Sequence, residues 1–320
     1  MIKKKFISNF LLFSISILTI VGILEIFVRI IVDNGMNYNL EMMKYSNELK
    51  KKSHNPRVGI EHKYNKSAFL MGAEINLNSR GFRSNKKLDL DKKKIFMMGD
   101  SMTFGWGSSK TFSSVLEQKI GSNYQVLNAG IGNTNTIMQI NNFFEYHKDL
   151  NIELIILNFF INDFENVKVK QPNFIQKYSY LYTFLNANLY KIKMLNDKNK
   201  DYENFYLNTF NDKIIIDKTK DEIKKLKKFC IKNDIAFVIH NIPELRNLKN
   251  YKFKNETKII KNFSDINEII FIDSFDVLKN YDEETLWVTI EDSHANEKAH
   301  DIIGNFLYDK IKKEKIIKIN

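Results

Sequence analysis

The 320-residue sequence predicts an α/β fold, a three-layer, doubly wound parallel sheet preceded by one N-terminal transmembrane helix. Three observations predict it. From Lys94 onward, short continuous apolar runs alternate with helical stretches, the pattern of parallel strands covered on both faces. Polar loops follow the runs, at the sheet end where such folds bind ligands. At the N-terminus an uncharged, mostly apolar run stands apart from everything after it.

That run extends from Phe6 to Leu24, nineteen residues, behind Lys3, Lys4 and Lys5. As a helix it spans roughly 28 Å, about the hydrocarbon thickness of a bilayer. The lysines in front predict a cytoplasmic N-terminus and a domain outside the cytoplasm. No small-x-small cleavage site follows, so residues 1–33 are expected to remain as an anchor rather than leave as a signal peptide. Glu25 and Arg29 lie one turn apart and can pair.

Residues 34–90 are polar and read as an irregular tether or cap, with a loop signal at INLNSRGFRSN. Residues 91–320 hold the sheet. KKIFMMGDS, YQVLNAGIGNTNT, IELIILNFFIND, IAFVIHNIP and INEIIFIDSFDVL supply its strands. TFSSVLEQKIG, TIMQINNFFEYHKDL, KDEIKKLKKFCIKND and EKAHDIIGNFLYDKIKK are helices between and after them, the first closed by Gly121. Tyr178 to Lys220, rich in Tyr, Asn and Lys, reads as an insertion on the sheet edge or beside the cleft.

Composition narrows the function. The net charge of +11 is spread along the chain, without zinc-finger spacing, an RNP motif or a basic helix array, so a nucleic-acid partner is not expected. Attraction to anionic lipid or acidic glycan stays open. Cys230 is the single cysteine, so no intrachain disulfide forms, and its helical setting reads as structural. There is no HExxH, Walker A or GxSxG, and His54, His62 and His147 lack metal-ligand spacing. No metal or organic cofactor is expected.

The polar loops can carry acyl transfer. Ser101 follows a strand and opens a helix, where free N–H groups favour developing negative charge. The same placement suits an ordinary helix cap, and Ser101 alone does not separate the two. His294 can serve Ser101 as base, with Asp292 or Glu291 to orient the imidazole. Asn162 ends the third strand, and the loop Gly130–Asn133 offers backbone N–H groups. A Ser–His–acid set with oxyanion donors is the acyl-transfer template, recognised by roles.

The blocks FMMGDSMTFGWG, NAGIGNTNT, FFINDF and EDSHANEKAH resemble, in order, those of SGNH/GDSL hydrolases. INLNSRGFRSN is similar to a segment ahead of the first block in membrane-anchored bacterial members. The resemblance covers about residues 94–310. It implies an SGNH/flavodoxin-like sheet, Ser101 as nucleophile, His294 as base and Asn162 as side-chain oxyanion donor. Ser101 and the glycine of the second block would donate backbone N–H groups. Gly132 fits the loop pattern better, with Gly130 as alternative. The family's acid stands three residues before the His, where this chain has Glu291; Asp292, two before, is favoured. The resemblance to anchored members implies an O-acetylated glycan or another small ester as substrate. Transfer of the acyl group to a surface polysaccharide, or a non-catalytic glycan-binding role, are the alternatives.

The remaining candidates have structural readings beside functional ones. His300 is assigned to the surface or to packing, and His240 to structure or the cleft wall. Asp163 and Asp100 can fix their loops, and Phe104 and Trp106 can line the cleft or fill the core.

Overall fold

The computed structural model describes residues 2–169, 172–195 and 202–319. The chain begins with helix α1 (Ile2–Phe27), prolonged by a π-type segment over Val28–Val32. Its side chains are almost all exposed, and Lys4–Val32 is long and apolar enough to cross a membrane.

Residues 34–90 fold, where the sequence suggested an irregular stretch. Helix α2 (Tyr38–Glu48) is capped by Asn37, whose side chain accepts the Leu40 N–H. Strands β1 (Lys50–Lys52) and β2 (Ile60–His62) pair antiparallel. Strands β3 (Lys66–Leu70) and β4 (Ala73–Leu77) form a tight hairpin. Met71 and Gly72 both take positive φ at its tip, which matches the twist of the flanking strands.

The α/β domain then runs β5 (Lys93–Gly99), α3 (Ser101–Phe104), α4 (Phe112–Lys119), β6 (Tyr124–Gly130), α5 (Thr136–Tyr146) and β7 (Ile152–Phe159). Next come α6 (Phe174–Tyr178), α7 (Tyr180–Leu195), α8 (Tyr202–Thr209), α9 (Lys213–Lys232), β8 (Ala236–Asn241), α10 (Lys254–Ile266), β9 (Ile270–Asp273) and α11 (Phe275–Leu278). The chain closes with β10 (Trp287–Thr289), β11 (Asp292–Ala295) and α12 (Glu297–Lys313). The segment around His294, read from sequence as a loop, is thus half of a short antiparallel hairpin. Part of the insertion read over Tyr178–Lys220 lies outside the described residues.

The five-stranded sheet has the order β6-β5-β7-β8-β9, every pair parallel. This is the doubly wound arrangement with a switch point beside its first strand. Alternate residues of β5 enter different cores. Ile95 and Met97 pack with Phe112, Leu116, Ile303 and Leu307 from α4 and α12. Phe96 and Met98 pack with Ile140, Phe143, Ile223 and Leu226 from α5 and α9. The period-two side-chain alternation of a strand therefore builds the three layers. Each such side chain, fully buried, contributes roughly 1.5–3 kcal/mol.

A third core joins the N-terminal segment to the loop after β5. Tyr45, Leu49, Leu70 and Ile75 pack on Phe104 and Trp106. Tyr45 stacks on Phe104 with ring centroids 4.9 Å apart.

Candidate active site

The turn from β5 into α3 is set by close approach. A Cβ on Gly99 would lie 2.0 Å from Thr103 Oγ1, so only glycine lets the chain turn here. Asp100 caps α3 by accepting the Met102 N–H at 2.9 Å. Ser101 is the first helical residue, and its N–H has no acceptor among the described residues. Gly105 ends the helix at φ +82°. Arg83 secures this end: its guanidinium donates to the carbonyls of Phe104 (2.8 Å), Gly105 (2.5 Å) and Ser108 (2.5 Å). Burial pulls the Arg83 pKa down to about 10, which leaves it charged near neutrality.

Three of the sequence candidates meet in a chain of contacts. Ser101 Oγ lies 2.9 Å from His294 Nε2. His294 Nδ1 lies 2.5 Å from Asp292 Oδ1, and the same oxygen accepts the His294 backbone N–H at 3.1 Å. Burial alone would lower the His294 pKa, but the charge and hydrogen bond of Asp292 outweigh it and raise it. Burial raises the Asp292 pKa, yet the His294 contacts and the Trp106 hydrogen bond leave it below the usual carboxylate value. An imidazole held this way keeps Nε2 free to take a proton from Ser101. Glu291 stands elsewhere: it is exposed and pairs with Lys191 at 3.2 Å.

The two glycines differ. Gly130 has its N–H bonded to Asn128 Oδ1 at 3.1 Å, and a Cβ there would meet Phe104 N at 2.3 Å. Its part is to let β6 approach α3. Gly132 faces Ser101, since an added Cβ would sit 3.6 Å from Ser101 Cβ. Its N–H, however, donates to the Tyr45 hydroxyl at 3.0 Å, where the resemblance implied a free donor. Tyr45 in turn donates to His62 Nε2 at 2.8 Å, because His62 Nδ1 faces the Gly81 carbonyl at 3.1 Å. Burial lowers the His62 pKa to about 3, which keeps this imidazole neutral.

Asn162 reaches the same region. Its Oδ1 is buried with no hydrogen-bond partner among the described residues, and its side chain stands close enough to Asp100 to oppose the rise that burial imposes on that carboxyl. Asp163 holds the turn that presents Asn162, accepting the Phe160 N–H at 2.7 Å and Gln139 Nε2 at 3.0 Å. Burial, with the Asp100 charge adding to it, raises the Asp163 pKa well above the usual value.

The other candidates settle into packing. His240 is fully buried in β8 between Asn158 Oδ1 (2.8 Å) and Ser274 Oγ (2.7 Å), away from any cleft wall. His300 is also fully buried, not on the surface, and its Nδ1 accepts the Phe112 N–H at 3.2 Å. Cys230 is buried, and burial pushes its thiol up to about 12. Phe104 belongs to the third core. No cluster of His, Cys, Asp or Glu able to hold a metal is found among the described residues.

Sequence reasoning missed two neighbours of the site, Tyr38 and Tyr45, and the hydrogen bond of a third, Trp106. Trp106 Nε1 donates to Asp292 Oδ2 at 3.1 Å, so this buried indole holds the Asp292 carboxylate rather than simply filling space. Tyr38 stacks near His294, with centroids 6.3 Å apart and planes 24° from parallel. Tyr45 holds the Gly132 loop. The two tyrosines come from α2, and only the packing of that helix brings them here.

No protein-family model and no curated protein sequence matches the chain. Solved structures do resemble it. A member of the lipolytic protein G-D-S-L family from Veillonella parvula is 12% identical, with 69% of this chain and 99% of that chain covered and a TM-score of 0.43. A GDSL-like lipase from Bacteroides thetaiotaomicron is 15% identical, with 69% and 89% covered and a TM-score of 0.41. A carbohydrate acetylesterase family member from Sinorhizobium meliloti is 13% identical, with 69% and 98% covered and a TM-score of 0.41. One fold hosts many chemistries, so function is read from the site itself.

Proposed function

We propose that this chain is a serine-dependent ester hydrolase working through an acyl-Ser101 intermediate. The observation that carries the reading is the contact chain Ser101–His294–Asp292. In this scheme Ser101 Oγ attacks the ester carbonyl while His294 Nε2 takes its proton. The oxyanion is held by the Ser101 N–H and the Asn162 amide, and by Gly132 once its N–H leaves Tyr45. The C–O bond to the alcohol then breaks, and the alcohol leaves with the proton from His294. Water attacks the acyl carbon, gives its proton to His294, and the acid departs as Ser101 Oγ recovers that proton.

The resemblance to anchored SGNH members favours a small acyl ester, such as an O-acetyl group on a glycan. In this reading α1 is a membrane anchor (residues 1–33), residues 34–90 form the cap, and residues 91–320 are the catalytic domain outside the cytoplasm. The lysines ahead of its apolar run support that orientation. Acyl transfer to a sugar hydroxyl would use the same steps with a different final acceptor.

A fluorophosphonate probe tests the core of the reading. It should label wild-type protein and not Ser101→Ala, and p-nitrophenyl acetate should be cleaved by the wild type alone. Equal labelling of both proteins would overturn the assignment of Ser101. Acetylated polysaccharides assayed with and without an acceptor glycan separate hydrolysis from transfer.

A further inference from the structure

The insertion after β7 is fastened to the end of the apolar N-terminal helix. Glu25 accepts the Tyr180 and Leu181 N–H groups, both at 2.9 Å, and the Ser179 hydroxyl at 2.8 Å. A carboxylate from α1 thereby caps α7, at the end where free N–H groups favour negative charge. Arg29 donates to the Tyr178 carbonyl at 2.6 Å, pairs with Glu25 at 2.8 Å and lies 4.1 Å from the Tyr180 ring centre. Glu25 and Arg29, the charged pair at the end of the apolar run, thus find partners in α6 and α7.

Beyond that junction α7 presents an apolar stripe to the outside. Tyr182, Leu185, Leu189 and Ile192 recur at intervals of three and four, so they share one helix face. All four are exposed, Leu189 by 60%. Phe174 and Ile175 of α6 extend the apolar surface, Phe174 exposed by 78%. In a helix packed on its own domain such a stripe would point inward. Here the inner face, through Thr183, already contacts Met43 of α2.

We propose that the exposed face of α6 and α7 rests in the headgroup–acyl boundary of a lipid bilayer, the one that α1 enters. The proposal relies on the reading of α1 as a membrane anchor. Continuity with α1 selects the occupant, because the stripe begins where the apolar helix ends. Tyrosines on this face, Tyr178 and Tyr182, suit an interface with one wet side, and Lys193 near the end of α7 suits anionic headgroups. The other end of α7 reaches the candidate site. Lys191 pairs with Glu291, the residue before Asp292, and eleven helical residues from Tyr180 span roughly 16 Å. The face would therefore hold Ser101 and His294 a short distance above the lipid.

Depth-dependent quenching in proteoliposomes of phosphatidylcholine and phosphatidylglycerol tests this with the full chain. Single cysteines at Leu185, Leu189, Ile15 and Ser122 would carry a nitrobenzoxadiazole label; native Cys230 is buried and does not compete. Ser122 lies at the opposite end of the sheet from the candidate site. Nitroxide-bearing lipid should quench labels at Ile15, Leu185 and Leu189 at least twofold and leave Ser122 unaffected. Quenching at Ile15 with Leu185 and Leu189 behaving like Ser122 would refute the docking while sparing the anchor. No quenching at Ile15 would remove both. Label-to-label transfer at Leu189 that fades on dilution with lipid, without nitroxide quenching, would make the face a contact between two copies and also overturn the proposal.

Discussion

Trp106 donates its indole N–H to Asp292 Oδ2 at 3.1 Å, from the loop that directly follows the Ser101 helix. The Ser101 loop and Asp292 are therefore joined both through His294 and through Trp106. A hydrogen bond to a charged group contributes about 1.5–3 kcal/mol. Trp106→Phe keeps most of the packing and loses that bond. Its kcat should fall roughly tenfold or more, with KM little changed. Wild-type kcat in a folded variant, checked by circular dichroism, would remove Trp106 from the positioning of Asp292.

The acid assignment has a direct comparison. Asp292→Asn should lower kcat by about a thousandfold or more, because the imidazole then loses its tautomer and orientation. Glu291→Gln removes only an exposed ion pair and should stay within about twofold of wild type. The reverse ranking would transfer the role to Glu291.

The pH profile follows from the His294 shift. A base must be neutral to accept the Ser101 proton, and Asp292 raises the His294 pKa above its ordinary 6.5. Activity should be lost as pH falls, with the acid limb of kcat/KM centred above 6.5. A limb centred below that value would mean that His294 is not the titrating base.

Asn162→Ala tests the oxyanion site. An amide that acts on charge developing in the transition state should cost roughly a hundredfold or more in kcat and leave KM near wild type. Unfolding of this variant, seen as a collapsed melting transition, would instead make Asn162 a structural residue.

Lys50 supplies a stability prediction. It is buried, donates to the Gly132 carbonyl at 3.1 Å and lies 4.2 Å from the Tyr45 ring centre. Burial lowers its pKa from 10.5 to about 7. Between those values the unfolded chain binds the proton and the folded chain does not, so this group makes stability rise with pH. The slope is at most about 1.4 kcal/mol per pH unit. Urea unfolding at pH 7 and pH 9 should show a gain in the wild type that shrinks in Lys50→Met. An equal gain in both would refute it.

Much of this was legible in the sequence, for identifiable reasons. The five strands are continuous apolar runs because both sheet faces are covered, and the signal survives without neighbours. Ser101 and Asn162 stood out because each sits beside a strand end, where the fold has to expose it, and His294 because acids stand just before it ahead of the last helix, although it lies in a short hairpin rather than a loop. The state of Gly132 was not legible. Its N–H is taken by Tyr45, 87 residues earlier, and no local pattern encodes that pairing. The order in residues 34–90 was hidden similarly: Leu40, Tyr45 and Leu49 are buried against partners supplied by distant elements. Trp106 carried an ambiguous signal, since an indole that fills a core and one that steadies a carboxylate look the same in a sequence.

The chain from the π-type segment to α2 has a consequence for how substrate is met. Only residues 33–37 separate Val32 from Tyr38, whose ring stacks near His294. Six peptide steps extend at most about 20 Å. On the anchored reading, the serine cannot sweep through the surrounding volume as it would on a long flexible leash. It patrols a thin shell parallel to the membrane, and its turnover would follow how densely esters populate that shell rather than their bulk concentration. A long polymer would then be processed only along stretches that come down to the surface, leaving its outer reaches untouched.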